Sequence, residues 1–145
     1  MKKKSIKNFN FPIEIHSLKK VKTKGGDIFK IIDKKSKGFK GFSETYFSWI
    51  NYGSVKAWKF HKRMTMNLVV PLGKVKFVFF DTKTKKKLEV TIGKKNYKRI
   101  KVGPGVWFGF KGLSKPSSLI MNFSNLKFNK KEILRKEKDD IDLKW

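Results

Sequence analysis

Lys74–Phe80 reads KVKFVFF, in which Val75, Phe77 and Phe79 alternate with Lys74, Lys76 and Val78. A repeat of two sends successive side chains to opposite faces of a strand, so the stretch predicts a strand with one face in a core. Tyr97–Val102 repeats the pattern, with Tyr97, Arg99 and Lys101 on one side and Lys98, Ile100 and Val102 on the other. Shorter runs at Asp27–Ile32, Glu44–Ile50, Val55–Phe60, Asn67–Leu72, Leu88–Ile92, Val106–Phe110 and Ser118–Phe123 read as further strands. Turn signals such as DTKTKKK and Gly103-Pro104-Gly105 separate them. No helical period occurs before Lys130, and no internal repeat is evident. Short strands at this spacing predict an all-β sandwich or barrel.

The two ends differ from this middle. Residues 1–24 are basic and weakly patterned, with one apolar piece at Phe11–Ile15. The tail Glu132–Trp145 holds five of the eleven acids, interleaved with lysine, and reads as a short helix or a loop laid over the sheet. Its charges are expected on a solvated face, with Trp145 anchoring the end by burial.

Composition narrows the class. A length of 145 residues suits one domain, 1–145, and 39% hydrophobic residues with 14 Phe and 4 Trp suffice for a core. No apolar run approaches the ~20 residues of a membrane-spanning helix, and no signal-like segment follows the basic start, so a cytoplasmic protein without membrane contact is expected. The absence of cysteine removes disulfides, thiolate catalysis and thiolate metal sites. With only His16 and His61, a multi-histidine metal site within one chain is excluded as well. The net charge of +26 suits nucleic acid or anionic small molecules. Arginine is the better bidentate reader of phosphates, and only Arg63, Arg99 and Arg135 are present, while lysines spread over the whole chain. That balance disfavours nucleic acid as the partner.

Spacing carries more information. Gly53 is followed by SVKAW, then Lys59-Phe60-His61, Met66 and Gly73, and Gly103-Pro104-Gly105-Val106-Trp107-Phe108 follows later. This frame resembles the two motifs of the cupin superfamily, with His61 alone at a usual ligand position. Lys59, Met66 and Phe108 stand where the other ligands would be, so neither a metal nor another cofactor is expected. From Gly38 to Trp145 the chain resembles more closely the dTDP-4-dehydrorhamnose 3,5-epimerase family, a metal-free cupin branch. The segments Gly53–Gly73, GKVKFVFFD, VGPGVWFGF and EKDDIDLKW carry the likeness. It implies a cupin-type double-stranded β-helix, or jelly roll, with a short charged C-terminal tail. It also implies a homodimer and a sugar nucleotide, or other anionic carbohydrate, as ligand.

The family's epimerases move protons beside a C4 ketone, with a histidine base held by an aspartate and a tyrosine acid. By resemblance the base position falls on Lys59, the tyrosine position on or near Met121, a second pocket histidine on Phe108, a pocket lysine on Met66 and an arginine on Lys56. The orienting aspartate lies beyond the Asp-Asp…Trp segment, where this sequence has no further residue. The usual catalytic set is thus largely replaced, and a keto-sugar-nucleotide epimerase or isomerase, a non-catalytic carbohydrate-binding cupin and a basic nucleic-acid binder stay open.

Lys59 admits several roles. It is a general base or a Schiff-base amine if its pKa is lowered, a counter-charge for a ligand's phosphate, or a strand lysine reaching solvent. His61 shares a face with Ala57 and Lys59 in a regular strand and is either the working base or a half-buried, hydrogen-bonded histidine. Lys59 and His61 are therefore the catalytic candidates. Lys40, Lys56, Arg63, Trp107, Phe108 and Met121 are the ligand-binding ones. Trp58 is expected to pack on the face opposite Lys59, and one of Trp107 and Phe108 to point inward. Tyr46, Tyr52 and Tyr97 are the only phenols available as replacement acids. Lys40-Gly41 loosely stands for an Arg-Gly phosphate-holding pair.

Overall fold

The computed structural model describes residues 11–145. Twelve strands and two single 3₁₀ turns make up its regular structure. In chain order the strands are β1 (Ile13–Ser17), β2 (Lys20–Val21), β3 (Ile28–Phe29), β4 (Glu44–Asn51), β5 (Val55–His61), β6 (Met66–Leu72), β7 (Lys74–Phe80), β8 (Lys87–Gly93), β9 (Lys98–Val102), β10 (Trp107–Gly112), β11 (Ser117–Ser124) and β12 (Ile133–Arg135). Two five-stranded antiparallel sheets stack face to face, one in the order β1-β9-β6-β11-β4 and the other β12-β5-β10-β7-β8. This is the expected jelly-roll sandwich.

The alternation read from the sequence decides which side chains fill the space between the sheets. Val75, Phe77 and Phe79 of β7 meet Ile100 and Val102 of β9, Met66, Leu68 and Val70 of β6, and Phe108 of β10 in one buried cluster. A second cluster lies on the outer side of β5, β10 and β7. There Trp58, Val78 and Trp107 pack with Ile141, Leu143 and Trp145 of the tail. The tail therefore covers a sheet, which is why Val78 is apolar on the side where its neighbours Lys74 and Lys76 are not. Trp145 packs on Trp58 with ring centroids 5.1 Å apart and tilted by 44°, as expected of an anchoring residue.

Some elements depart from the expectation. Only Ile28–Phe29 of the Asp27–Ile32 run is strand, paired with Lys20–Val21. The apolar piece near Phe11–Ile15 becomes β1, which extends the first sheet along β9. On the outer side of that sheet Arg99, 2% exposed, donates to the side-chain carbonyl of Asn67 and, at 2.8 Å, to the Lys37 carbonyl. A buried guanidinium with these acceptors ties the segment before β4 to the sheet.

Two glycines are dictated by space. Gly73 turns β6 into β7 at φ +79°, and a Cβ there would lie 2.3 Å from the Ser118 hydroxyl. Gly109 of β10 is pressed by Ala57 and by the Trp145 ring, which would stand 2.7 and 2.8 Å from an added Cβ. Gly109→Ala is expected to lower stability by about 1–3 kcal/mol through overpacking. Chemical denaturation checks this, and Trp145→Ala in the same chain should recover part of the loss.

Candidate functional site

A bulge in β5 sets the geometry. Phe108 pairs with Lys59 and Phe110 with Lys56, so Ala57 and Trp58 together stand opposite Gly109. An extra residue on one strand shifts the alternation. As a result Lys56 and Lys59, three apart, both border the same cavity with His61, and Ala57 and Trp58, which also reach it, pack in the outer cluster. Ala57, Lys59 and His61 all border the cavity, although Ala57 also packs against the outer cluster. The cavity, about 440 Å³, lies between the sheets. β5, β10 and β12 form one wall, and the inner sides of β4, β6 and β11 form the other.

His61 is 7% exposed, and its Nδ1 donates to Oε1 of Glu132. The second oxygen of Glu132 accepts the backbone N–H groups of Arg63 at 3.1 Å and Met64 at 3.3 Å. Burial raises the Glu132 pKa, but the hydrogen bonds from His61 and the two amides outweigh it and hold the carboxyl below its ordinary value. An ionised carboxylate at Nδ1 fixes the tautomer, leaving the Nε2 lone pair free to take a proton. Phe108 lies nearly parallel to the ring on one side, its centroid 5.8 Å away at an interplanar angle of 17°.

Lys59 is half-buried, and β12 places Arg135 directly beside it in register. Burial first, then the charges of Arg135 and Lys56, lower its pKa from the ordinary lysine value of 10.5. Lys56 itself donates to the Trp49 carbonyl at 2.8 Å. Three neighbouring cations on the wall of a cavity can receive a polyanion. With no ligand their repulsion costs stability. Because the folded-state pKa of Lys59 lies below the unfolded one, the penalty is fully present below the folded value. It fades as pH rises towards 10.5. Lys59→Met should therefore raise the melting temperature of the ligand-free protein by a few degrees at neutral pH. The gain should shrink as pH approaches 10, as thermal unfolding at several pH values would show.

The opposite wall mixes the carboxylate of Glu44 and neutral polar groups with the apolar Met66, Leu68 and Ile120. Tyr46 and Ser48 of β4 and Asn122 and Ser124 of β11 border the cavity, and the Asn122 amide donates to the Tyr46 hydroxyl at 2.9 Å. No group of three or more His, Asp or Glu suited to a metal ion occurs among the described residues.

The sequence-derived candidates divide accordingly. Lys56, Lys59, His61 and Phe108 come together in the cavity, and Phe108 is the inward member of its pair. Trp107 instead packs on Phe60 in the outer cluster. Met121 faces away from the cavity, because β11 alternates and its neighbours Ile120 and Asn122 point in. Arg63 is exposed just past β5 and contributes only its backbone N–H, to Glu132. Lys40 is exposed in the segment before β4 and does not border the cavity. Of the phenols, Tyr46 alone borders it. Glu132 corrects the expectation of a uniformly solvated tail: it is 6% exposed and bonded to His61. Glu132, Arg135 and Asn122 were not singled out from the sequence. The one available signal for Glu132 was its place ahead of an apolar Ile-Leu pair, which does not name a partner 71 residues away.

Fold and cavity define a cupin-type jelly roll of the kind found in dTDP-sugar epimerases and isomerases. A dTDP sugar isomerase from Desulfovibrio desulfuricans G20 is similar over 91% of this chain and 90% of its own, with 28% identity and a TM-score of 0.84. A dTDP-4-dehydrorhamnose 3,5-epimerase from Bacillus anthracis, solved with TDP and pyrophosphate bound, matches over 97% of this chain and 89% of its own, at 16% identity and a TM-score of 0.80. QdtA, a sugar 3,4-ketoisomerase from Thermoanaerobacterium thermosaccharolyticum solved with TDP, matches over 88% and 90% at 14% identity and a TM-score of 0.77. Comparison with protein-family models finds no match, and comparison with curated proteins finds no relative.

Proposed function

We propose that this protein binds a nucleoside-diphosphate keto-sugar and moves a proton on the carbon next to the ketone, as an epimerase or isomerase. The carrying observation is the His61–Glu132 pair, a histidine with a fixed tautomer on the wall of a cavity that Lys56, Lys59 and Arg135 also border. Taking a proton from beside a carbonyl needs a positioned base and stabilisation of the enolate. His61 Nε2 supplies the base. Lys59, flanked by Lys56 and Arg135, supplies positive charge for the developing enolate or the adjacent diphosphate. Which of these two anions Lys59 meets follows from how deeply the sugar enters.

The solved neighbours bind TDP or act on dTDP sugars, which supports the same ligand class here. The protein's place is in deoxysugar or surface-polysaccharide synthesis in the cytoplasm; no helix of the described residues is long and apolar enough to cross a membrane. A homodimer is part of the proposal. The edge strand β4 and its surroundings leave Phe42, Phe47, Trp49 and Leu72 exposed, an apolar patch that a second copy would cover. The test is incubation with dTDP-4-keto-6-deoxyglucose followed by NMR. A C3 or C5 epimer or a 3-keto isomer supports the reading, and unchanged sugar on this and related keto-sugar nucleotides sinks it.

A further inference from the structure

Lys56, Lys59 and Lys136 border the cavity, and two of them are engaged elsewhere. Lys56 donates to the Trp49 carbonyl at 2.8 Å, and the Lys136 ammonium lies 5.1 Å from the centre of the Trp107 ring. Lys59 has no hydrogen-bond or ion-pair partner among the described residues. The buried polar atoms that lack a partner belong to Tyr97, Arg99, Asn122 and Trp145, so the Lys59 amine is unpartnered and yet reachable. Glu44 and Glu137 also border the cavity, but neither pairs with it: Glu44 accepts from the Phe128 N–H at 2.9 Å, and Glu137 is exposed. Burial, then Arg135 and Lys56, disfavour the charged form of Lys59. A lysine drawn off solvent and set beside other cations is a nucleophile for carbonyl carbon.

We infer that Lys59 is the nucleophile of a covalent site, which condenses reversibly with an aldehyde that carries a phosphate. Arg135, beside Lys59 in register, and Lys56, three residues back, supply positive charge for the phosphate. The amine lone pair attacks the aldehyde carbon, and the carbonyl pair moves onto oxygen. A proton passes from nitrogen to that oxygen and gives a carbinolamine. Loss of water, with the remaining N–H proton, leaves a C=N bond. Added water reverses each step, and nothing is oxidised or reduced. An aldehyde carbon is open on one side, so it reaches a half-buried amine more easily than a ketone flanked by two ring carbons. The adduct occupies the cavity and shuts out a sugar nucleotide, so phosphate-bearing aldehydes act as reversible covalent inhibitors. This site rests on the cationic cavity of the proposed function, not on its proton transfer, so the two readings fail separately.

The test treats full-length protein with limiting pyridoxal phosphate, fixes the imine with borohydride and locates the label by peptide mass spectrometry. Lys59 should be labelled at least ~10-fold faster than the exposed lysines, because desolvation and phosphate docking both favour it. Saturating TDP should protect Lys59 and leave the exposed lysines labelled. Pyridoxal, which lacks the phosphate, should label Lys59 at least ~10-fold more slowly than pyridoxal phosphate does, and Arg135→Gln should narrow that difference. Labelling of Lys59 no faster than of exposed lysines, equally fast with and without the phosphate, or unaffected by TDP overturns the covalent site, whatever deuterium exchange shows. Selective, TDP-sensitive labelling in a protein that exchanges no deuterium supports the covalent site and sinks the proton-transfer reading alone.

Discussion

His61→Gln should reduce deuterium exchange at the carbon next to the ketone by about 10²–10⁴-fold, while TDP binds as before. The expectation follows from the division of labour in the cavity. The cations proposed to meet a diphosphate, Lys56, Lys59 and Arg135, are side chains other than the hydrogen-bonded pair His61 and Glu132. Glutamine keeps a polar group at the position but offers no nitrogen lone pair to take a proton. Kinetics that fall with binding preserved would mark His61 as the base; a parallel loss of both would make it a structural residue. Lys59→Ala separates the remaining possibility, since a Lys59 base would transfer the large loss in exchange to that variant.

Glu132→Ala should carry a double effect. The carboxylate accepts from His61 and from two backbone amides, at Arg63 and Met64, and is itself buried. Removing it strands three donors, which predicts a loss of about 3 kcal/mol of stability, read by chemical denaturation. It also frees the His61 tautomer, so exchange should fall roughly as far as in the His61 variant. The two effects have different pH signatures. The Glu132 pKa is lowered in the folded state, so its contribution is present above the ordinary value of 4.5 and lost as pH falls through the folded one. Wild type and Glu132→Ala should therefore differ in stability near neutrality and converge in acid. Glu132→Gln keeps the volume and one acceptor oxygen, and should recover part of the stability but little of the exchange.

The strands were legible because the two faces of this sandwich differ in polarity. Val75, Phe77 and Phe79 alternate with lysines, and Ile100 and Val102 with Tyr97 and Arg99, and each set lies where a repeat of two puts it. Trp58 and Trp107 were readable as packing residues or as one of an alternating pair. Their cover, Ile141 to Trp145, was foreseen only as an anchored tail. The Asp27–Ile32 run is strand only at Ile28–Phe29, because it pairs with Lys20–Val21 in a small two-stranded sheet and joins neither five-stranded one.

The site was legible in part. Lys56, Lys59, His61 and Phe108 follow from the glycine frame, but two physical features hid the rest. The β5 bulge breaks the alternation that would separate Lys56 from Lys59, and nothing in SVKAWKFH signals a bulge. The partners of His61 and Lys59, Glu132 and Arg135, arrive with a 3₁₀ turn and the three-residue strand β12 that follows it, in a tail whose composition reads as solvated. Met121 illustrates the sensitivity of strand register: a displacement of one residue exchanges an outward methionine for the inward Ile120 or Asn122.

The central claim is that this cavity takes a proton from a sugar carbon next to a ketone. The most direct measurement is the rate at which deuterium enters C3 or C5 of dTDP-4-keto-6-deoxyglucose in deuterated water, followed by NMR with wild-type protein and His61→Gln in parallel. Deuterium entering with the wild type and failing to enter with the variant is the predicted result. TDP binding by both proteins with no deuterium entering in either would contradict the claim and leave a binding scaffold without proton-transfer chemistry.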